Sequence, residues 1–361
     1  MQRRDFLRFS GLASAGLVLP PSISSVFAQA PTADPWRIFE VTTRVEVLNP
    51  SGATRVWLPT PLVDDAPYIK SLGNDYRAES GATGFTTDPK YGAGIVWAEW
   101  AAGTKPVMVM KSRFATHDVA VDFSKPGNVE SEDRAVLARY MEATDLMPTD
   151  GAVKELSSSI VKGAKTDIEK ARAIYDWIVD NTHRDSEVRG CGAGDVKFMV
   201  ENKAWGGKCA DLNALYVALA RAEGLPARDV YGVRVADSAL GYKSLGKSGD
   251  ITRAQHCRAE VYLEGYGWVP VDPADVRKVI LEEGGGKAPT DPMVVAARER
   301  LFGSWEMNWL AYNYAHDVVL PKSTRGKVGF FMYPQCETAE GRLDPLDPDN
   351  FRYQMTSRQI A

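Results

Sequence analysis

Along residues 39–47, Phe39, Val41, Thr43, Val45 and Val47 alternate with Glu40, Thr42, Arg44 and Glu46. That period of two predicts a strand with one buried face. Asn49, Pro50, Ser51 and Gly52 supply a turn, a second strand covers 54–58, and Pro59 and Pro61 then break the pairing. Two further apolar runs, 95–100 and 107–114, are split by Gly103. Short strands separated by turn residues predict an all-β, sandwich-like domain over 36–124.

Pro126 and Gly127 mark a change of period. Helices are predicted over 132–141 and 152–162, making 125–165 a helical linker. Thr166 with Glu169 three residues on is a capping box, and Ile168, Ala171, Tyr175 and Ile178 line one face of the helix that follows to residue 181. Gly206 and Gly207 stop the next segment, after which Leu212, Leu215, Tyr216 and Leu219 recur at spacings of three and four. Gly224 stands where a glycine closes a helix, with Pro226 just beyond. Strands are predicted at 229–235, 254–263 and 268–271, the last two joined by a hairpin turn at 264–267. Residues 236–254 form a polar, glycine-containing loop long enough to suggest a lid or substrate-contacting edge, or else a solvated connector. These elements make 166–276 the core, and 277–361 an extension, with a linker at Gly284, Gly285 and Gly286, whose strands complete it.

Composition adds an address. Arg3 and Arg4 precede Asp5, Phe6 and Leu7 in a twin-arginine pattern, a weak apolar run spans 11–19, and a small-x-small rule fits cleavage after Ala28 (Val26-Phe27-Ala28) or after Ala30 (Ala28-Gln29-Ala30). Residues 1–28 are therefore predicted to be an export signal and the protein periplasmic. The formal net charge of −4 becomes −6 if that segment leaves with Arg3, Arg4, Arg8 and Asp5. Such a chain offers nothing to nucleic acid, and no stretch is apolar enough to span a membrane. The sequence does not indicate an oligomeric state. Cys191, Cys209, Cys257 and Cys336 are too scattered for a disulfide framework, and any bridge is expected between two of Cys191, Cys257 and Cys336.

Cys209 opens the apolar helix, where unpaired N–H groups and the macrodipole favour a thiolate. A nucleophile of this kind needs a base, and the base needs an orienter. His256 lies on the strand at 254–263 and Asp272 ends its hairpin partner, near the same end of the pair. Asp275 is a second possible orienter, and Asp211 is expected to cap the helix rather than react. His117 and His183 are expected to be peripheral. Trp205 either donates its indole N–H to an oxyanion, beside the Cys209 N–H, or is a packing residue.

Four runs together resemble the transglutaminase-like superfamily: Gly207 to Asp211, Gly224 to Arg228, His256 to Tyr262 and Gly267 to Pro273. The resemblance implies an α+β, papain-like core with the cysteine helix packed on an antiparallel sheet. It also implies Cys209 as nucleophile, His256 as general base and acid, and Asp272 as orienter. Many relatives have tryptophan where Arg258 stands, so Arg258 is expected to touch an anionic substrate group or to pair with an acid such as Glu260. No calcium loop of the D-x-D-x-D-G type is present, so no metal or other cofactor is expected. The implied activity is attack on an amide or peptide bond through a thioester, on a protein, peptide or cell-wall amide, with hydrolysis favoured over cross-linking. The alternative is a non-catalytic peptide- or envelope-binding protein on the same fold.

Overall fold

The structure, a computed structural model, describes residues 36–127 and 129–361. The predicted export signal lies outside the described residues. Among the described residues, no helix is long and apolar enough to cross a membrane.

Six strands open the chain: β1 (Arg37–Val47), β2 (Thr54–Pro59), β3 (Ile69–Ala78), β4 (Ala82–Thr87), β5 (Gly94–Trp100) and β6 (Val107–Thr116). They divide between two five-stranded sheets. One runs Gly249–Asp250, Phe351–Gln359, β1, β6, β3, and the other Arg342–Leu343, Gln335–Glu337, β2, β5, β4. Val45 and Met108 from the first sheet meet Val56, Leu58 and Val96 from the second in one buried cluster, which makes the pair a sandwich.

Three of these strands come from the C-terminal extension, contrary to the expectation that its strands complete the core. Trp309–Asn313 does join the core sheet, but Gln335–Glu337 pairs with β2 and Phe351–Gln359 pairs with β1 along its length. The reason is edge protection. Without Phe351–Gln359, β1 would present a long row of unpaired N–H and C=O groups.

The helices are α1 (Arg134–Arg139), α2 (Gly151–Ile160), α3 (Asp167–Asn181), α4 (Val196–Asn202), α5 (Cys209–Ala222), α6 (Pro273–Glu282) and α7 (Pro292–Arg300). Thr166 and Glu169 form the predicted capping box on α3. Helix α5 is the axis of the molecule. Every residue from Cys209 to Arg221 is buried, between the other helices and an antiparallel sheet of order Gly267–Val271, Gln255–Leu263, Ala227–Arg234, Trp309–Asn313. A helix enclosed on all sides is mostly apolar around its circumference, with its buried polar groups mostly hydrogen-bonded, and Leu212, Leu215, Tyr216 and Leu219 have no exposed surface. Truncating any of these leucines to alanine should cost roughly 2–5 kcal/mol. Gly224, at φ +84°, closes the helix: its N–H donates to Arg221 O and that of Leu225 to Ala220 O, both at 3.0 Å, a Schellman motif.

The segment 236–254 is not a free lid. Tyr242, Leu245 and Ile251 are buried, Ser244 donates to Glu283, and the Ile251 N–H donates to Met355 O. Its few apolar side chains are enough to fasten it, because each sits at a point where the polar chain around it is also hydrogen-bonded.

Candidate active site

The start of α5 is fixed by Asp211. Its carboxylate accepts the N–H groups of Lys208, Ala193 and Gly194, each at 2.9 Å. It thus caps the helix, as expected, and also clamps the preceding loop against it. The Ala210 N–H donates to Cys191 O at 2.9 Å. Cys209 occupies the first helical position, whose N–H has no partner within the helix.

His256 lies on Gln255–Leu263 and Asp272 just past Gly267–Val271, where Ala259 pairs with Val271. One step further along that register Arg258 falls opposite Asp272, and His256 reaches Asp272 on the diagonal. His256 Nε2 lies 2.7 Å from Asp272 Oδ2. A carboxylate only accepts, so Nε2 carries the proton and Nδ1 is left for the thiol. Asp272 also caps α6, its Oδ1 accepting the Asp275 N–H at 3.0 Å with Pro273 at the first helical position. Asn213 Nδ2 donates to Cys257 O at 2.8 Å and to Asp272 Oδ1 at 3.3 Å.

Asp275 is part of this site as well. Its Oδ2 is 3.4 Å from His256 Nε2, and both its oxygens accept from Arg234 Nη2. Arg258 Nε stands 3.7 Å from Asp272 Oδ2. His256, Asp272 and Asp275 converge within reach of a single point, as the ligands of a metal ion do, but the two guanidiniums already neutralise both carboxylates. With a Cys209 thiolate and a His256 imidazolium, the buried set holds three positive and three negative groups. A buried charge must be matched in this way.

Titration follows from the arrangement. Hydrogen bonding with Cys191, then with Cys257, most strongly holds the Cys209 thiol well below its ordinary value; burial opposes this, and the His256 imidazole adds to it through hydrogen bonding and charge. Cys191 has a single proton and also faces Gln255 O at 3.2 Å, so its support competes with that bond. The imidazolium and the helix N-terminus have no such competitor. Burial and Arg234 push His256 down, but Asp275 and Asp272 outweigh them and hold it at about 9. Burial and the neighbouring Asp275 raise Asp272. Burial likewise pushes Asp275 up, yet Arg234 and His256 prevail and keep it well below the usual carboxylate range.

Cys209, His256 and Asp272 are therefore brought together, at 4%, 3% and 0% exposure. Arg258 does face an acid, as expected, but that acid is Asp272 and not Glu260. Glu260 is held instead by Arg228 at 2.6 Å. Arg258 is buried against Trp305 and Trp309, donates to Glu306 O at 3.0 Å, and is driven by burial down to about 10. It faces the Asp272 carboxylate that holds His256. Trp205 is half-buried, with its ring edge-on to Trp177 at 5.3 Å. All four cysteines are free thiols, so the conditional expectation of a bridge among Cys191, Cys257 and Cys336 is not met. A surface hollow of about 320 Å³ between α2 and α3, lined by Ile160, Lys162, Lys165 and Glu169 among others, shares no residue with this site.

Sequence reasoning passed over Arg234 and Asn213. Asn213 lies four residues after Cys209, hence on the same helix face, a spacing that signals it. Arg234 had no such local signal.

The sequence profile of the transglutaminase-like superfamily matches residues 154–273. A protein of Haemophilus influenzae described as uncharacterised is 34% identical over 348 residues, covering 90% of this chain and 92% of the relative. The chain belongs to the transglutaminase-like superfamily. An uncharacterised Bacillus subtilis protein, YebA, is 28% identical over 153 residues, which cover 40% of this chain and 20% of that one. Among solved structures, a candidate cysteine protease from Cytophaga hutchinsonii superposes with a TM-score of 0.51 at 16% identity, over 90% of this chain and 99% of the other. At that identity the likeness shows a shared fold: the papain-like α+β core with its β-rich N-terminal region.

Proposed function

We propose that the chain is a cysteine-dependent acyl-transfer enzyme acting on amide or peptide bonds. The observation that carries this is the 2.7 Å contact between His256 Nε2 and Asp272, which leaves Nδ1 to serve a thiol whose acidity is raised. Cys209 Sγ attacks the carbonyl carbon. The oxyanion is met by the Cys209 N–H, with the Trp205 indole as a second candidate donor. His256 gives its proton to the departing amine, and the acyl group stays on sulfur as a thioester. Water, activated by the now neutral imidazole, then releases the acid. Hydrolysis is favoured over cross-linking because water is always available and no separate amine site is evident. Because the thiol is nearly enclosed, substrate binding is coupled to opening of the site.

The twin-arginine pattern supports a periplasmic address and hence an envelope protein, peptide or cell-wall amide as substrate. The test is mass spectrometry of the mature chain mixed with peptide and cell-wall amide libraries. An acyl adduct on Cys209 that decays in water is the expected result. A Cys209→Ala variant that still turns substrate over would overturn the mechanism, and an active-site thiol that never accepts an acyl group would favour the peptide-binding alternative.

A further inference from the structure

Cys191, Cys209 and Cys257 come from a loop, a helix start and a strand, yet they meet at one turn. The Ala210 N–H holds the Cys191 carbonyl at 2.9 Å, and Asn213 Nδ2 holds the Cys257 carbonyl at 2.8 Å. Both neighbours are thus tied by their backbones to the helical turn that carries Cys209, and both thiols are within hydrogen-bonding reach of its sulfur. Cys336 is elsewhere, in the sandwich core beside Val56 and Phe351.

We propose that Cys191 is a resolving thiol: when hydrogen peroxide oxidises Cys209, the two form a reversible disulfide that silences the nucleophile and shields it from irreversible oxidation. This rests on the reading of Cys209 as a reactive thiolate. In the first step Cys209 sulfur attacks the peroxide, an S–O bond forms, the O–O bond breaks, and hydroxide leaves and takes up a proton. Sulfur is oxidised to a sulfenic acid and the peroxide is reduced to water. In the second step Cys191 sulfur attacks the Cys209 sulfur, the S–O bond breaks, and the displaced hydroxide departs with the Cys191 proton as a second water. A dithiol reverses the product.

Cys191 is the better placed of the two neighbours. A disulfide demands a narrow range of Cα separation and torsion, so one partner has to adjust. Cys257 is locked in the sheet opposite Tyr231. Cys191 lies on a loop between Gly190 and Gly192, at φ +59° and +94°. Besides Cys209 and the Tyr333 hydroxyl, its thiol meets Gln255 O in a weak bond.

The experiment is brief exposure of the reduced chain to hydrogen peroxide, alkylation, trypsin and mass spectrometry. Arg189, Lys197, Lys208, Arg221, Arg253 and Arg258 place the three cysteines on three separate peptides. The expected result is a linked Cys191–Cys209 peptide, loss of Cys209 alkylation, and full recovery with dithiothreitol. In Cys191→Ser the link is absent and Cys209 passes to sulfinic and sulfonic acid, which the dithiol does not reverse. Over-oxidation of Cys209 at the same rate in both proteins, or a Cys209–Cys257 link in place of the expected one, overturns the proposal. Alkylation of the untreated, reduced protein separates the two ideas. A labelled Cys209 without a link removes only the disulfide, whereas an unlabelled Cys209 removes the reactive thiolate and the disulfide with it.

Discussion

Arg234 grips Asp275 through both carboxylate oxygens, at 2.6 and 2.8 Å, with both residues buried. The pair does more than close a gap in the core. Asp275 also lies 3.4 Å from the His256 nitrogen that Asp272 holds, so Arg234 sets how much negative charge the imidazole experiences. Asp272 can orient His256 alone in principle. Here two carboxylates share the task, and two arginines keep the pair from repelling.

That balance makes Arg234 a strong stability determinant. Arg234→Met leaves Asp275 buried without its partner and should cost about 3–5 kcal/mol, whereas Arg234→Met with Asp275→Leu removes both charges and should recover most of it. Urea unfolding of the two variants measures the difference. Equal losses in both would mean that packing, not charge, is what Arg234 provides.

The pH dependence of stability follows from His256. Its value of about 9 lies above the unfolded 6.5, so its stabilisation is complete below pH 6.5 and is lost as pH rises through 9. The shift corresponds to roughly 3 kcal/mol. Cys209 has the opposite sign: a lowered thiol pKa stabilises above the unfolded value, and that contribution is lost as pH falls. The comparison therefore belongs in a Cys209→Ala background, since the two aspartates are what hold His256 up. Unfolding free energies from pH 6 to 10 should fall by about 3 kcal/mol more with His256 than with His256→Asn. Parallel curves would show that the imidazole titrates alike in both states.

Helix α5 was legible because its ends and its face are all written locally: Gly206 and Gly207 before it, leucines at helical spacing, Gly224 after it. Strands β1, β2, β5 and β6 were legible for the same reason, each carrying an apolar face. Strand β3 was not, since Ile69 is its one buried residue, and an exposed edge strand needs no apolar alternation. Phe351–Gln359 has no clean apolar alternation, because its inward positions include Ser357, and what fixes it is pairing with β1, more than 300 residues away. Helices α6 and α7 begin at Asp272-Pro273 and Asp291-Pro292, cap followed by first-turn proline. From the sequence alone the first of these pairs reads only as the end of a strand. In the site, Cys209, His256 and Asp272 were found through local motifs. Arg234 was not, because its partnership with Asp275 depends on how a strand and a helix pack.

The loop before α5 depends on one glycine. Gly192 has φ +94°, and a Cβ built there would stand 1.8 Å from Asp211 Oδ2. The same carboxylate holds Lys208, Ala193 and Gly194, so any side chain at 192 must displace the clamp that sets both the helix start and Cys191. Gly224 provides a control, since φ is +84° there but a Cβ would meet nothing within 4 Å. Gly224→Ala should cost about 1–2 kcal/mol for the left-handed backbone alone. Gly192→Ala should cost that and roughly 1.5–3 kcal/mol more for weakened bonds to a charged acceptor, and it should slow alkylation of Cys209 where Gly224→Ala does not. Thermal or urea unfolding, with alkylation rates on the same samples, checks both halves. If the two variants lose the same stability and Cys209 reacts equally fast in each, the Asp211 clamp does not hold the nucleophile in place.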